Sequence, residues 1–209
     1  PQEDIVVERS RGYSDSRMTS NRAVTPAELD ALLERLIVGN PTPSGRRLLG
    51  VEFEQLVLHR RSRASAPVEI SVGVMRDLVA ALHAEPVVEG ELIKGLRADE
   101  FELSMEPGGQ LEVATPPYEK LAEIDRTMRR ALAAIERQLA STEYELVALG
   151  HAPVTPVAEI GLLPRERYHI MDARMPTRGA LSRNMMRATA GASSGFNLCS
   201  MTIDAISRA

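Results

Sequence analysis

The stretch FELSMEPGGQLEVATPP, residues 101–117, decides how the rest of the chain is read. Pro107-Gly108-Gly109 is a turn signal between two short strand-like runs, so the segment reads as a β-hairpin with Glu106 and Glu112 flanking the reversal. Glu102, Glu106 and Glu112 stand at even steps, although the turn leaves their common face open. Like charges brought this close raise one another's pKa unless a cation neutralises them, which makes a divalent metal a natural completion. A solvated hairpin with exposed glutamates is the other reading of these residues alone.

A second acidic strand shifts the balance. Residues 46–59, RRLLGVEFEQLVLH, place Leu49, Val51, Phe53 and Gln55 on one face and Gly50, Glu52, Glu54 and Leu56 on the other. Two carboxylates side by side on an apolar strand are costly to bury without partners. Hard oxygen ligands on strands suit magnesium, which keeps waters and is commonly shared with substrate phosphates.

These residues carry a resemblance. GVEFE (50–54), SMEPGGQLEVATPP (104–117), RYHIMDARMPTRGALSRNMMRATAG (167–191) and the later FNL are similar, in the same order, to the glutamate-cysteine ligases of the plant and proteobacterial type. The resemblance implies Mg2+ held by Glu52, Glu54, Glu106 and Glu112, and glutamate held by the RYHIM block. Arg167 is then expected at the substrate carboxylate, with Tyr168 and Gln110 as further substrate-binding residues; Arg174 and Arg187 are weaker candidates. The activity implied is ATP-dependent carboxylate-amine ligation: the glutamate γ-carboxylate becomes an acyl phosphate, and cysteine or a related amine displaces phosphate to form an amide. The fold implied is α+β, a curved antiparallel sheet forming part of a glutamine-synthetase-like funnel with helices outside. Periodicity alone yields only α+β.

Composition bounds the answer without choosing it. A chain of 209 residues with 26% charged residues and a net charge of −4 has the balance of an ordinary globular protein. No basic excess or run argues for nucleic acid or an anionic membrane. One cysteine, Cys199, excludes an intramolecular disulfide and a cysteine metal cluster. No apolar run approaches a membrane span and no signal-peptide core is visible, so a cytoplasmic location is expected.

Residues 1–24 are polar and aperiodic and read as a flexible arm, with 25–209 as one domain. Thr25-Pro26-Ala27-Glu28 is a helix start with a capping box, followed by the stripe Leu29, Leu32, Leu33, Leu36, Ile37 and the stop Gly39-Asn40-Pro41. Helices are expected at about 71–83 and 119–139, the latter with a seam of Leu121, Ile124, Met128, Leu132, Ile135 and Leu139. Strands are expected at 87–92, turning near Lys94-Gly95, and at 143–149. Lys94 falls in that connection and receives no role; His83 reads as a helix-end residue and His151 as structural. Residues 164–191 combine Arg165, Arg167, Arg174, Arg178, Arg183 and Arg187 with methionines, where guanidinium forks suit carboxylate or phosphate.

Two departures from the family pattern stand out. Relatives continue after MM-x-x-T with a V-Q-V-N-L-D strand; here ASSGFNLCS (192–200) sets Gly195 at the Gln position and Cys199 at the Asp position. Relatives also carry a further stretch that completes the nucleotide pocket. The alternative to an active ligase is therefore a non-catalytic or partner-dependent relative that binds glutamate or metal. A homodimer or partner subunit completing the site is expected on either reading. A redox-metal enzyme ranks last, because no His-rich ligand set is present.

Overall fold

The computed structural model describes residues 25–33 and 47–196. The chain divides into two compact units, Pro1–Pro41 and Thr42–Ala209. In the first, α1 (Pro26–Leu33) opens with the expected capping box. The Glu28 amide donates to Thr25 Oγ1 at 3.3 Å, and the Thr25 amide donates to the Glu28 carboxylate at 2.9 Å. The expected arm, the continuation of the stripe past Leu33 and the stop at 39–41 lie outside the described residues.

The second unit is built around β1 (Leu49–His59), the longest strand. It is followed by α2 (Val68–Leu82), β2 (Glu85–Glu89), β3 (Leu92–Arg97), β4 (Glu102–Met105), β5 (Leu111–Ala114), α3 (Leu121–Leu139), β6 (Tyr144–Val147), α4 (Glu166–Arg174), α5 (Ser182–Arg187) and β7 (Ala192–Phe196). The sheet order is β2-β3-β4-β5-β1-β6, with β7 also paired to β1, and every pairing is antiparallel. β7 faces residues 49–53 and β6 faces 56–59, so the two lie end to end along the edge of β1 opposite β5. The α+β class is as expected, but the seven-stranded sheet is not strongly curled. Three of its strands are only four residues long, which gives little length over which curvature can accumulate.

Register makes the sheet two-faced. Directly paired residues share a face, so one row runs Arg97, Glu102, Ala114, Glu52, Ser193 and the next runs Gly95, Ser104, Glu112, Glu54. The opposite face carries Leu96, Leu103, Met105, Leu111, Val113 and Val57, packed with Val74, Met75 and Leu78 of α2 and Ala131, Ile135 and Leu139 of α3. Burying such aliphatic side chains contributes roughly 1.5–3 kcal/mol each and holds the two helices to that face.

Several boundaries differ from expectation. The β2–β3 turn lies at Gly90, where φ is +61°, and Lys94-Gly95 is inside β3. Gly95 serves close packing instead of a turn, since a Cβ there would meet the Leu103 carbonyl at 2.8 Å. Pro86 sits in β2 at the sheet edge, where a missing donor is tolerated. The buried stripe of α3 runs through Ile124, Thr127, Ala131, Ala134, Ile135 and Leu139, while Leu121 is 71% exposed. Small residues in the middle of that stripe let the helix approach the sheet.

Candidate functional site

The hairpin places its acids by simple geometry. The Glu106 amide donates to the Gln110 carbonyl at 2.9 Å and the Gly109 amide donates back to the Glu106 carbonyl at 2.8 Å, closing a tight reversal. Gly109 takes φ +84°, and a Cβ on Gly108 would fall 2.1 Å from the Arg187 carbonyl, so both glycines are demanded by the backbone. The alternation survives the turn, and Glu102, Glu106 and Glu112 fall on the same face as Glu52 and Glu54.

Three of the four acids proposed as metal ligands are held by neighbouring donors. Ser193 Oγ donates to Glu52 at 2.8 Å, Ser104 Oγ donates to Glu112 at 2.8 Å, and the Gly191 amide donates to Glu54 at 2.9 Å. Glu106 receives no side-chain hydrogen bond among the described residues. Its carboxyl is held above the usual carboxylate range by burial first, then by the charges of Glu112 and Glu54, with Arg167 and Arg165 opposing. Glu112 is raised as well, by burial and by Glu52 and Glu54, against the Ser104 hydrogen bond. Among the described residues no three carboxylate, imidazole or thiol groups stand close enough to cage a metal unaided.

A cavity of about 320 Å³ opens over this floor. Glu52, Glu106 and Glu112 line it from the sheet, and Arg165, Arg167 and Tyr168 line it from the start of α4. That volume suits a small charged metabolite. Tyr168 is 1% exposed, and its hydroxyl donates to the Met105 carbonyl at 3.3 Å, next to Glu106. Two guanidiniums stack on its ring, Arg165 at 4.7 Å and Arg167 at 4.8 Å from the centroid. Arg167 is exposed and makes no ion pair among the described residues. Arg165 is 9% exposed and fully engaged: Nε and Nη2 donate to Glu89 at 3.1 and 2.7 Å, and Nη1 donates to the Tyr168 hydroxyl at 2.8 Å.

Gln110 does not line the cavity. It is 2% exposed, its Oε1 accepts from the Gly108 amide at 2.9 Å, and its Nε2 donates to the Thr189 carbonyl at 2.7 Å. Arg187 is also spent elsewhere, pairing with Asp172 at 2.7 Å and donating to the Ile160 carbonyl at 3.0 Å. Arg174 is exposed. His83 closes α2 in the left-handed conformation, and His151 Nδ1 lies 2.7 Å from the Ala152 carbonyl; neither lines the cavity. Gly195 pairs with Gly50 on β1, and a Cβ there would meet nothing within 4 Å; Cys199 lies outside the described residues. Sequence reasoning missed Arg165 and Lys94 as cavity residues. The position of Arg165 just ahead of α4 offered a faint signal, while that of Lys94 depends on strand pairing that no local pattern reveals.

Comparison with known proteins bears directly on this arrangement. The family model Glutamate-cysteine ligase family 2 (GCS2) matches residues 48–196, a span that includes every acid and arginine of the cavity. The chain belongs to this family. It is 26% identical over 167 residues to the chloroplastic glutamate–cysteine ligase of Medicago truncatula, covering 80% of this chain and 33% of the relative. The chloroplastic enzyme of Arabidopsis thaliana is likewise 26% identical over 167 residues, covering 80% and 32%. That of Nicotiana tabacum is 31% identical over 105 residues, covering 50% and 20%. The chain thus spans about a third of the length of the first two relatives. Among the described residues of this family member, no helix is long and apolar enough to cross a membrane.

Proposed function

We propose that the cavity binds glutamate, and that the chain supplies the glutamate and metal part of an ATP-dependent carboxylate-amine ligase. On this reading the γ-carboxylate is activated as an acyl phosphate and joined to cysteine or a related amine. One observation carries it: an unpaired guanidinium, Arg167, faces a floor of carboxylates whose proton affinity is raised by burial and by one another's charge. A ligand with a carboxylate at one end and a cation-binding group at the other matches both sides.

The donor set fits a hard divalent cation. Glu52, Glu54, Glu106 and Glu112 offer only oxygens, and the repulsion between them is what a cation would relieve. Magnesium commonly takes one or two protein carboxylates and keeps its waters, so no closed cage is needed. When bound, Mg2+ supplies charge neutralisation for phosphoryl transfer. The remaining work falls to the chain's own groups. Ser104, Ser193 and the Gly191 amide fix the orientation of three carboxylates. Arg167 orients the substrate carboxylate, and Tyr168 holds Arg167 by stacking. Touching substrate would require the Gln110 amide to leave Gly108 and Thr189, so its part is positioning the hairpin.

The alternative is a relative that binds glutamate or metal and needs a second subunit for catalysis, or that performs none. Phosphate release from Mg-ATP in the presence of glutamate and cysteine separates the two. Glutamate-dependent release that is lost in Glu106→Gln supports the ligase. Glutamate binding without release supports the alternative, and absence of both binding and release sinks the shared reading of the cavity.

A further inference from the structure

β3 carries one irregularity, and it faces the cavity. Val87 pairs with Gly95 and Val88 with Ile93, so Lys94 is the extra residue of a bulge. A bulge re-aims the side chain of its extra residue, and here Lys94 joins the lining of the cavity although Leu96, two positions on, is 1% exposed in the core of the other face.

The ammonium of Lys94 is poorly occupied. Its one ion pair among the described residues is with Glu89, at 3.4 Å. That same carboxylate oxygen already accepts two shorter bonds from Arg165, at 2.7 and 3.1 Å. The stronger fork belongs to a 9%-exposed arginine, whereas the Lys94 side chain is 32% exposed. Glu89 is therefore neutralised without Lys94, and its depressed pKa has the Arg165 hydrogen bond as its main cause. The result is a cation placed over a cavity by a backbone defect, with a weak partner it can leave at little cost.

We propose that Lys94 is a ligand-binding residue, donating its ammonium to an oxyanion, carboxylate or phosphate, of the molecule held in the cavity. This rests on reading the cavity as the substrate site, and it adds a second cation to Arg167. A lysine suits the role because its compact charge tolerates several oxyanion geometries, whereas the guanidinium fork is planar and fixed. The chain has only two lysines, Lys94 and Lys120, among 25 basic residues, so the site is chemically distinguishable from the rest of the surface.

Calorimetric titration of the wild-type chain, Lys94→Met and Lys94→Arg with L-glutamate and separately with inorganic phosphate, Mg2+ present, tests this. Lys94→Met should weaken the bound oxyanion about tenfold and Lys94→Arg should restore most of the loss. The melting temperature should stay unchanged, since an exposed 3.4 Å pair contributes little stability. Acetylation of the wild-type chain adds a readout free of mutation: ligand should protect Lys94 and leave Lys120 reactive. Glutamate binding that is equal in wild type and Lys94→Met, with no protection, overturns the role of Lys94 and leaves the glutamate reading standing. Lys94-dependent phosphate binding without glutamate binding keeps Lys94 and removes glutamate. Failure of both anions to bind overturns both.

Discussion

Glu106 is the residue at which the competing demands on this chain are clearest. Its carboxyl is partly buried, faces Glu112 and Glu54, and has no hydrogen-bond donor of its own among the described residues. The folded protein therefore holds its proton more tightly than the unfolded chain does. The stability penalty is full above the raised folded pKa and disappears as pH falls through it toward the ordinary carboxylate value. Metal-free wild-type protein should accordingly lose stability as pH rises from the ordinary carboxylate range toward neutrality. Glu106→Gln should show a flatter profile and, near neutral pH, melt higher than wild type. Thermal melts across that range check it; equal slopes for both proteins would show that the charge is not felt. Gly108 tests the opposite kind of constraint. A methyl group placed 2.1 Å from the Arg187 carbonyl forces the hairpin and the 187–191 segment apart, so Gly108→Ala should cost ~1–3 kcal/mol in denaturant melts.

Elements whose signals are local were legible in the sequence. The alternation of β1, the Pro107-Gly108-Gly109 reversal and the Thr25 capping box are each written in neighbouring residues, and each forms as read. The acidic floor was legible for the same reason, since period-two spacing alone puts Glu52 beside Glu54. Elements that depend on distant pairing were not legible. β7 reads ASSGF, with little strand propensity, and becomes a strand because β1 has an open edge there. The bulge at Lys94 exists only in the pairing of β2 with β3, so a turn at Lys94-Gly95 was the natural local reading. α3 shows a third case: Ile124, Ile135 and Leu139 of the expected seam are buried, and Thr127, Ala131 and Ala134, which the seam left out, are buried with them. At this scale Arg165 joins α4 to the end of β2. Arg165→Gln removes a charged fork and leaves Glu89 with only the long Lys94 pair, so a loss of ~1–3 kcal/mol is expected. Glu89→Gln should cost less, and a double-mutant cycle that shows no coupling between the two would contradict the link.

For the Thr42–Ala209 unit as a whole, function follows from a sheet with two unlike faces. One face is sealed by α2 and α3 and supplies stability; the other keeps its carboxylates accessible, with α4 bringing arginine and tyrosine to their rim. The chain belongs to glutamate-cysteine ligase family 2 and spans about a third of the first two relatives, so both the proposed glutamate occupant and catalysis are to be tested directly. On the proposed reading, Arg167 and the carboxylate floor together form one glutamate site. It is tested most directly by calorimetric titration of the purified chain with L-glutamate, with and without Mg2+, in wild type and Arg167→Met. Binding should strengthen with Mg2+ and weaken at least tenfold in the variant, a loss of about 1.4 kcal/mol or more. Binding indifferent to both Mg2+ and Arg167, or no binding at all, would contradict it.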